Sequence, residues 1–68
     1  MKIKGSYIKE LRTSKKLTQK QLAELSQISE SMVSKIELGV KSTKIETLKK
    51  IANALSTTMD DLVGGGHF

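Results

Sequence analysis

Five apolar residues, Ile45, Leu48, Ile51, Ala52 and Leu55, recur at i, i+3, i+6, i+7 and i+10, the strongest periodic signal in the chain. That spacing draws one stripe along an α-helix and does not fit the alternation of a strand. It predicts a helix from roughly Lys44 to Leu55, with Lys49 and Lys50 on the opposite face. The start carries a capping box, Thr43 as N-cap and Glu46 at N3, each able to satisfy a backbone amide of the other. Such a stripe needs other helices to cover it. The chain has 68 residues, no Pro and no Cys. Apolar residues recur at three- and four-residue steps along the rest of it, so the expected class is all-α, in one small domain.

Ahead of the stripe, Ser6 is placed to cap a first helix, roughly Ser6 to Lys15, that carries Ile8 and Leu11. Thr18 opens a second, with Gln21 completing another capping box, and Ser26-Gln27-Ile28 makes a tight turn after Leu22, Ala23 and Leu25. A third helix, Ser29 to Leu38, has Ser29 as N-cap and Glu30 against the positive end of the dipole. It stops at Gly39, which lacks a Cβ and so suits the left-handed conformation of a helix end. Its apolar teeth, Val33 and Ile36, bury too little to hold it alone, and its polar side is left to a partner. After a polar loop, Val40 to Ser42, come the striped helix and a short last one capped by Thr57 or Thr58, with Asp60 and Asp61 in its first turn. The folded domain is expected over residues 1–63, and 64–68 as a flexible glycine-rich tail.

Twelve Lys and Arg against seven Asp and Glu give a net charge of +5, which favours a polyanion, nucleic acid ahead of an anionic membrane. One Tyr and one Phe provide no platform for stacking single-stranded bases, which counts against single-stranded RNA or DNA. No apolar run reaches the length of a membrane span or signal peptide, and the lysines are spread over several helices without aromatic anchors, so no membrane partner is expected. Lack of cysteine suits a reducing interior, and the expected location is cytoplasmic, on the nucleoid when DNA is bound. His67 has neither a Cys nor a second His to join it, and the helix dipole accounts for Asp60 and Asp61. No metal, cofactor or enzymatic activity is expected.

The second and third helices with their three-residue turn make a helix-turn-helix arrangement, in which the later helix enters the DNA major groove. The residue pattern is more specific than the spacing. Leu17-Thr18-Gln19-Lys20-Gln21-Leu22-Ala23, then Ile28-Ser29, Val33-Ser34, Ile36-Glu37 and Gly39, then Ile45-Glu46-Thr47-Leu48 and Ile51-Ala52-Asn53-Ala54-Leu55, resembles the phage repressor and Cro family, also called the Xre family. The resemblance runs from about Ile8 to Val63 and implies a compact five-helix, lambda-repressor-like DNA-binding domain.

It also implies roles. Gln19 matches a glutamine that clamps a phosphate with the amides around Thr18, while Ser29, Glu30, Ser31 and Lys35, with Ser34 nearby, match base-reading positions. Arg12 and Glu37 match a salt bridge between the first helix and the end of the third, and Leu38, Lys41 and Lys44 lie where the backbone phosphates are met. Three positions depart from the pattern. Gln27 stands where glycine is usual, which puts a Cβ at a place of positive φ. Leu38 replaces an asparagine and loses a side-chain phosphate contact, and Thr43 replaces a proline.

The resulting reading is a sequence-specific transcriptional regulator, a repressor, that binds a palindromic operator as a homodimer, since one small domain reads only a few base pairs. The dimer surface is placed on Met59, Leu62, Val63 and Phe68. No residues are left for an effector domain, so control is expected from concentration, a second regulatory protein or competing operators. The alternative is an antitoxin or a protein-bridging module on the same fold.

Overall fold

The computed structural model describes residues 2–39 and 43–64. In chain order these form β1 (Lys2–Ile3), α1 (Gly5–Ser14), α2 (Gln19–Ser26), α3 (Glu30–Leu38), α4 (Ile45–Ala54), α5 (Met59–Leu62) and β2 (Val63–Gly64). The five helices make an all-α bundle, and a ladder absent from the sequence reading ties its ends, β1 antiparallel to β2 with Ile3 opposite Val63 and Lys2 opposite Gly64. Gly64 thus belongs to the fold and not to the tail; residues 65–68, including Phe68 and His67, lie outside the described residues, as do Val40, Lys41 and Ser42.

Caps set most of the helix starts. Thr18 and Gln21 exchange the two bonds of a capping box, Gln21 N to Thr18 Oγ1 at 3.0 Å and Thr18 N to Gln21 Oε1 at 2.8 Å. Ser29 Oγ accepts from Met32 N at 3.0 Å, and Thr58, not Thr57, caps α5 through Asp61 N at 3.2 Å. Two expected starts shift. Helix α1 begins at Gly5 behind Lys4, whose carbonyl accepts the first helical bond from Ile8 N at 3.0 Å and whose ammonium has no acceptor with which to cap; Ser6 falls inside the first turn. Helix α4 has Lys44 as N-cap, so Thr43 precedes the cap, Glu46 moves to N2, and the expected box is not made. The same shift leaves Ile45 as the first helical residue, 55% exposed and off the core stripe.

The remaining stripe residues, Leu48, Ile51, Ala52 and Leu55, are buried against Ile8 of α1, Leu22 and Ala23 of α2, and Val33 and Ile36 of α3. Leu62 completes this core with no exposed surface, so it cannot form the dimer surface expected of it. The reason is the clasp of the chain ends: the Leu62 carbonyl holds Lys4, which draws the end of α5 over the core. Met59 and Val63 are half-buried beside it. A second tie lies outside the core, where the Tyr7 hydroxyl donates to Asp61 Oδ2 at 2.8 Å and Thr57 Oγ1 donates to the same oxygen at 2.6 Å. The Thr57 and Tyr7 hydrogen bonds hold the Asp61 carboxyl below its ordinary range, and the bond to Asp61 raises the Tyr7 phenol.

Three helices end in one motif that composition does not advertise. After α1, α2 and α4 the chain passes through left-handed Lys16 (φ 59), Gln27 (φ 58) and Ser56 (φ 57). In each case the next residue bonds back five positions, Leu17 N to Arg12 O, Ile28 N to Ala23 O and Thr57 N to Ala52 O, at 3.1, 3.0 and 2.9 Å. Helix α3 ends at left-handed Gly39 (φ 73). At Gln27 the Cβ strain exceeds the freedom that glycine gives the unfolded chain. Gln27→Gly is therefore expected to raise stability by about 0.5–1 kcal/mol in urea unfolding; a lowered midpoint would mean that the side chain has a stabilising contact of its own.

Candidate nucleic-acid interface

The turn between α2 and α3 is short because α2 stops on Gln27. Ile28, whose amide returns to Ala23, then leads directly into the Ser29 cap. Val33 and Ile36 go inward, and this fixes what faces out: Glu30, Ser31 and Lys35 are exposed, and Ser34 is half-buried. Ser29 is exposed too; its oxygen accepts the cap bond, and its hydroxyl proton and second lone pair remain for a further partner.

Behind α3 lies a polar joint. Arg12 Nε donates to Glu37 Oε2 at 2.6 Å and Nη2 to Oε1 at 3.2 Å, a two-pronged pair between α1 and the last turn of α3. The side chains are 9% and 3% exposed. Arg12 Nη1 also donates to Leu17 O at 2.7 Å, which pins the loop between α1 and α2. Gln19, the first residue of α2, donates from Nε2 to Glu37 Oε1 at 3.1 Å. Glu37 therefore gathers three helices through one carboxylate, and so many charge-assisted bonds offset its desolvation. This contact of Gln19 had no signal in the residues around it. One proton of its amide is engaged with Glu37, and the other is available to a phosphate.

Gln19 shares a cleft between α1 and α3 with Lys9, Thr13, Ser34 and Leu38. Leu38 is 73% exposed at the end of α3 and Lys44 is exposed at the start of α4, both flanking the loop that contains Lys41. Thr18 lies on the surface at the amino end of α2, its hydroxyl committed to the capping box. The expected base-reading and phosphate positions among the described residues thus line the outer side of α3, the amino end of α2 and the start of α4. Of the residues given to the dimer surface, Met59 and Val63 are partly exposed and Leu62 is not. Among the described residues no group of three or more His, Cys, Asp or Glu could hold a metal, and no helix is long and apolar enough to cross a membrane.

The family model described as Helix-turn-helix matches residues 8–62, most of the chain. The chain belongs to the helix-turn-helix family, of the phage repressor and Cro type. It is similar to the HTH-type transcriptional activator BcrR of Enterococcus faecalis, at 43% identity over 58 residues, covering 85% of this chain and 28% of BcrR. The restriction-modification controller protein C.AhdI from Aeromonas hydrophila superposes with a TM-score of 0.80 at 35% identity, covering 84% of this chain and 86% of that one. The P22 c2 repressor, solved in complex with a synthetic operator, superposes with a TM-score of 0.87 at 25% identity, covering 96% and 98%. The chain spans between 28% and 58% of the length of the curated relatives compared with it. The match therefore places a helix-turn-helix domain of this family over residues 8–62.

Proposed function

We propose that the chain is a repressor that reads duplex DNA with α3 in the major groove and acts as a homodimer on a palindromic operator. The observation that carries this reading is α3 itself, clamped from behind by Arg12, Glu37 and Gln19 while Glu30, Ser31 and Lys35 stay in solvent. The P22 c2 repressor, similar in structure and solved in complex with an operator, supports DNA as the partner. Glu30 accepts from the N4 amino group of cytosine and Lys35 donates to O6 or N7 of guanine, so the half-sites contain C·G pairs; Ser29, Ser31 and Ser34 add permissive contacts. Gln19, Lys41, Lys44, the first-turn amides of α2 beside Thr18, and the exposed end of α3 at Leu38 meet phosphates, the Thr18 amide itself being held by Gln21. The partly exposed side chains of Met59 and Val63 join the two protomers.

Selection of bound duplexes from a random pool tests the reading directly. The enriched motif is expected to be a palindrome with C·G pairs in each half, and log K is expected to fall against log salt with a slope of about −4 to −7 for roughly four to eight neutralised phosphates per dimer. An affinity flat from low to high salt would sink it. Glu30→Gln is expected to shift one position towards adenine at a cost of about 1–3 kcal/mol on the original site, whereas Lys44→Ala weakens all sites alike. An unchanged motif with Glu30→Gln would remove Glu30 from the base readers.

A further inference from the structure

The first turn of α1 reaches the recognition helix from behind, at a residue that the sequence did not single out. A Cβ on Gly5 would lie 2.5 Å from the carbonyl oxygens of both Ile36 and Glu37, and 2.9 Å from the Glu37 carbonyl carbon. All three are backbone atoms of the last turn of α3, and Ile36 O already accepts from Gly39 N at 3.0 Å, so none can swing aside as a side-chain tip would. A carbon and a carbonyl oxygen sit comfortably no nearer than about 3.3 Å, so a methyl at position 5 forces the two backbones apart by about 0.8 Å.

Which backbone yields depends on what holds each. The start of α1 is pinned on its far side by Lys4 N on Leu62 O at 2.8 Å, by the pairing of Ile3 with Val63, and by Tyr7 on Asp61 at 2.8 Å. The amino end of α3 is fixed by the return bond from Ile28 to Ala23 and by the Ser29 cap. The carboxyl end of α3 is held to α1 by side-chain bonds through Glu37, which can adjust, and by the bare backbone at Gly5, which cannot. The displacement therefore falls on the carboxyl half of α3, pivoting about its amino end.

We infer that Gly5 is a specificity-determining positioning residue: its lack of a side chain sets how deeply the carboxyl half of α3, and with it Lys35, is seated, while Glu30 at the amino end is indifferent to it. The inference rests on the DNA-reading role proposed for α3.

In the test, the operator is first selected with the unmodified chain, and Glu30→Gln and Lys35→Gln map the base pair that each side chain reads. Gly5→Ala, assayed at a temperature where circular dichroism shows it folded, is expected to lose discrimination about tenfold at the Lys35 base pair and less than about twofold at the Glu30 base pair. Equal loss at both, or no loss, overturns the inference. Tyr7→Phe, which releases the first turn of α1 without adding atoms, is expected to give a smaller loss with the same positional pattern. It decides the matter if Gly5→Ala does not fold, and a uniform loss there counts against the inference. In the free Gly5→Ala protein, amide NMR shifts are expected to change at residues 36–39 and not at 30–33; changes spread evenly over α3 overturn the pivot. If the unmodified chain enriches no duplex at all, the DNA-reading role falls and this specificity role with it, and the amide shifts separately report whether Gly5 sets the end of α3.

Discussion

Arg12→Met is expected to lower the melting midpoint by at least about 12 °C and to abolish tight operator binding. The substitution keeps most of the apolar stem of Arg12 but strands the Glu37 carboxylate, whose side chain is 3% exposed, with Gln19 as its remaining partner among the hydrogen bonds described. Removing one member of a buried pair costs about 3–5 kcal/mol, far above the value of a surface ion pair. For a domain of this size each kcal/mol moves the midpoint by about 4–8 °C. The Leu17 carbonyl also loses its donor, so the loop between α1 and α2 loosens in the same variant. Replacing both partners, Arg12→Met with Glu37→Leu, is expected to restore most of the stability, because no charge is then left buried. Operator affinity should stay low in the double variant, since Gln19 loses the carboxylate that holds it. Thermal melts of the three proteins and one binding isotherm each decide this; a midpoint unmoved by Arg12→Met would show that Glu37 reaches water readily.

Leu62→Ala is expected to cost about 2–5 kcal/mol, the range for emptying a fully buried leucine site. In a chain of 68 residues, whose total stability is about 3–10 kcal/mol, that is enough to unfold a large share of the molecules. The mechanism also predicts a concentration dependence. As a core residue, Leu62 acts within one protomer, so the loss should be the same across a hundredfold range of protein concentration; a side chain at a dimer contact would give a loss that grows with concentration. Melts at several concentrations separate the two, and a deficit appearing only in concentrated samples would return Leu62 to the surface. Met59 and Val63, half-buried over the same core, are the residues at which concentration-dependent effects are expected.

What the sequence determined by itself was a set of features governed by neighbours within about four residues. The Thr18 and Gln21 box, the Ser29 cap, the Gly39 stop and the stripe through Leu48, Ile51, Ala52 and Leu55 are local events, in which the residue type and its spacing carry the physics. They were enough for the class of fold and for which side of α3 would be polar. Local signals failed at Thr43: a capping residue was present, yet α4 starts behind Lys44 and Ile45 is left in solvent. They were silent at Lys16 and Ser56, since nothing in a lysine or a serine announces a left-handed turn. The pairing of Arg12 with Glu37, 25 residues apart, came from resemblance and not from the chemistry of either neighbourhood. Only the tertiary structure decided that Tyr7 would meet Asp61, that Gln19 would share Glu37, that Leu62 would be core, and that Gly5 would have to be bare. Each of these joins elements far apart in the chain, and their meeting is settled by how the helices pack, a property of the whole core that no short window of sequence contains.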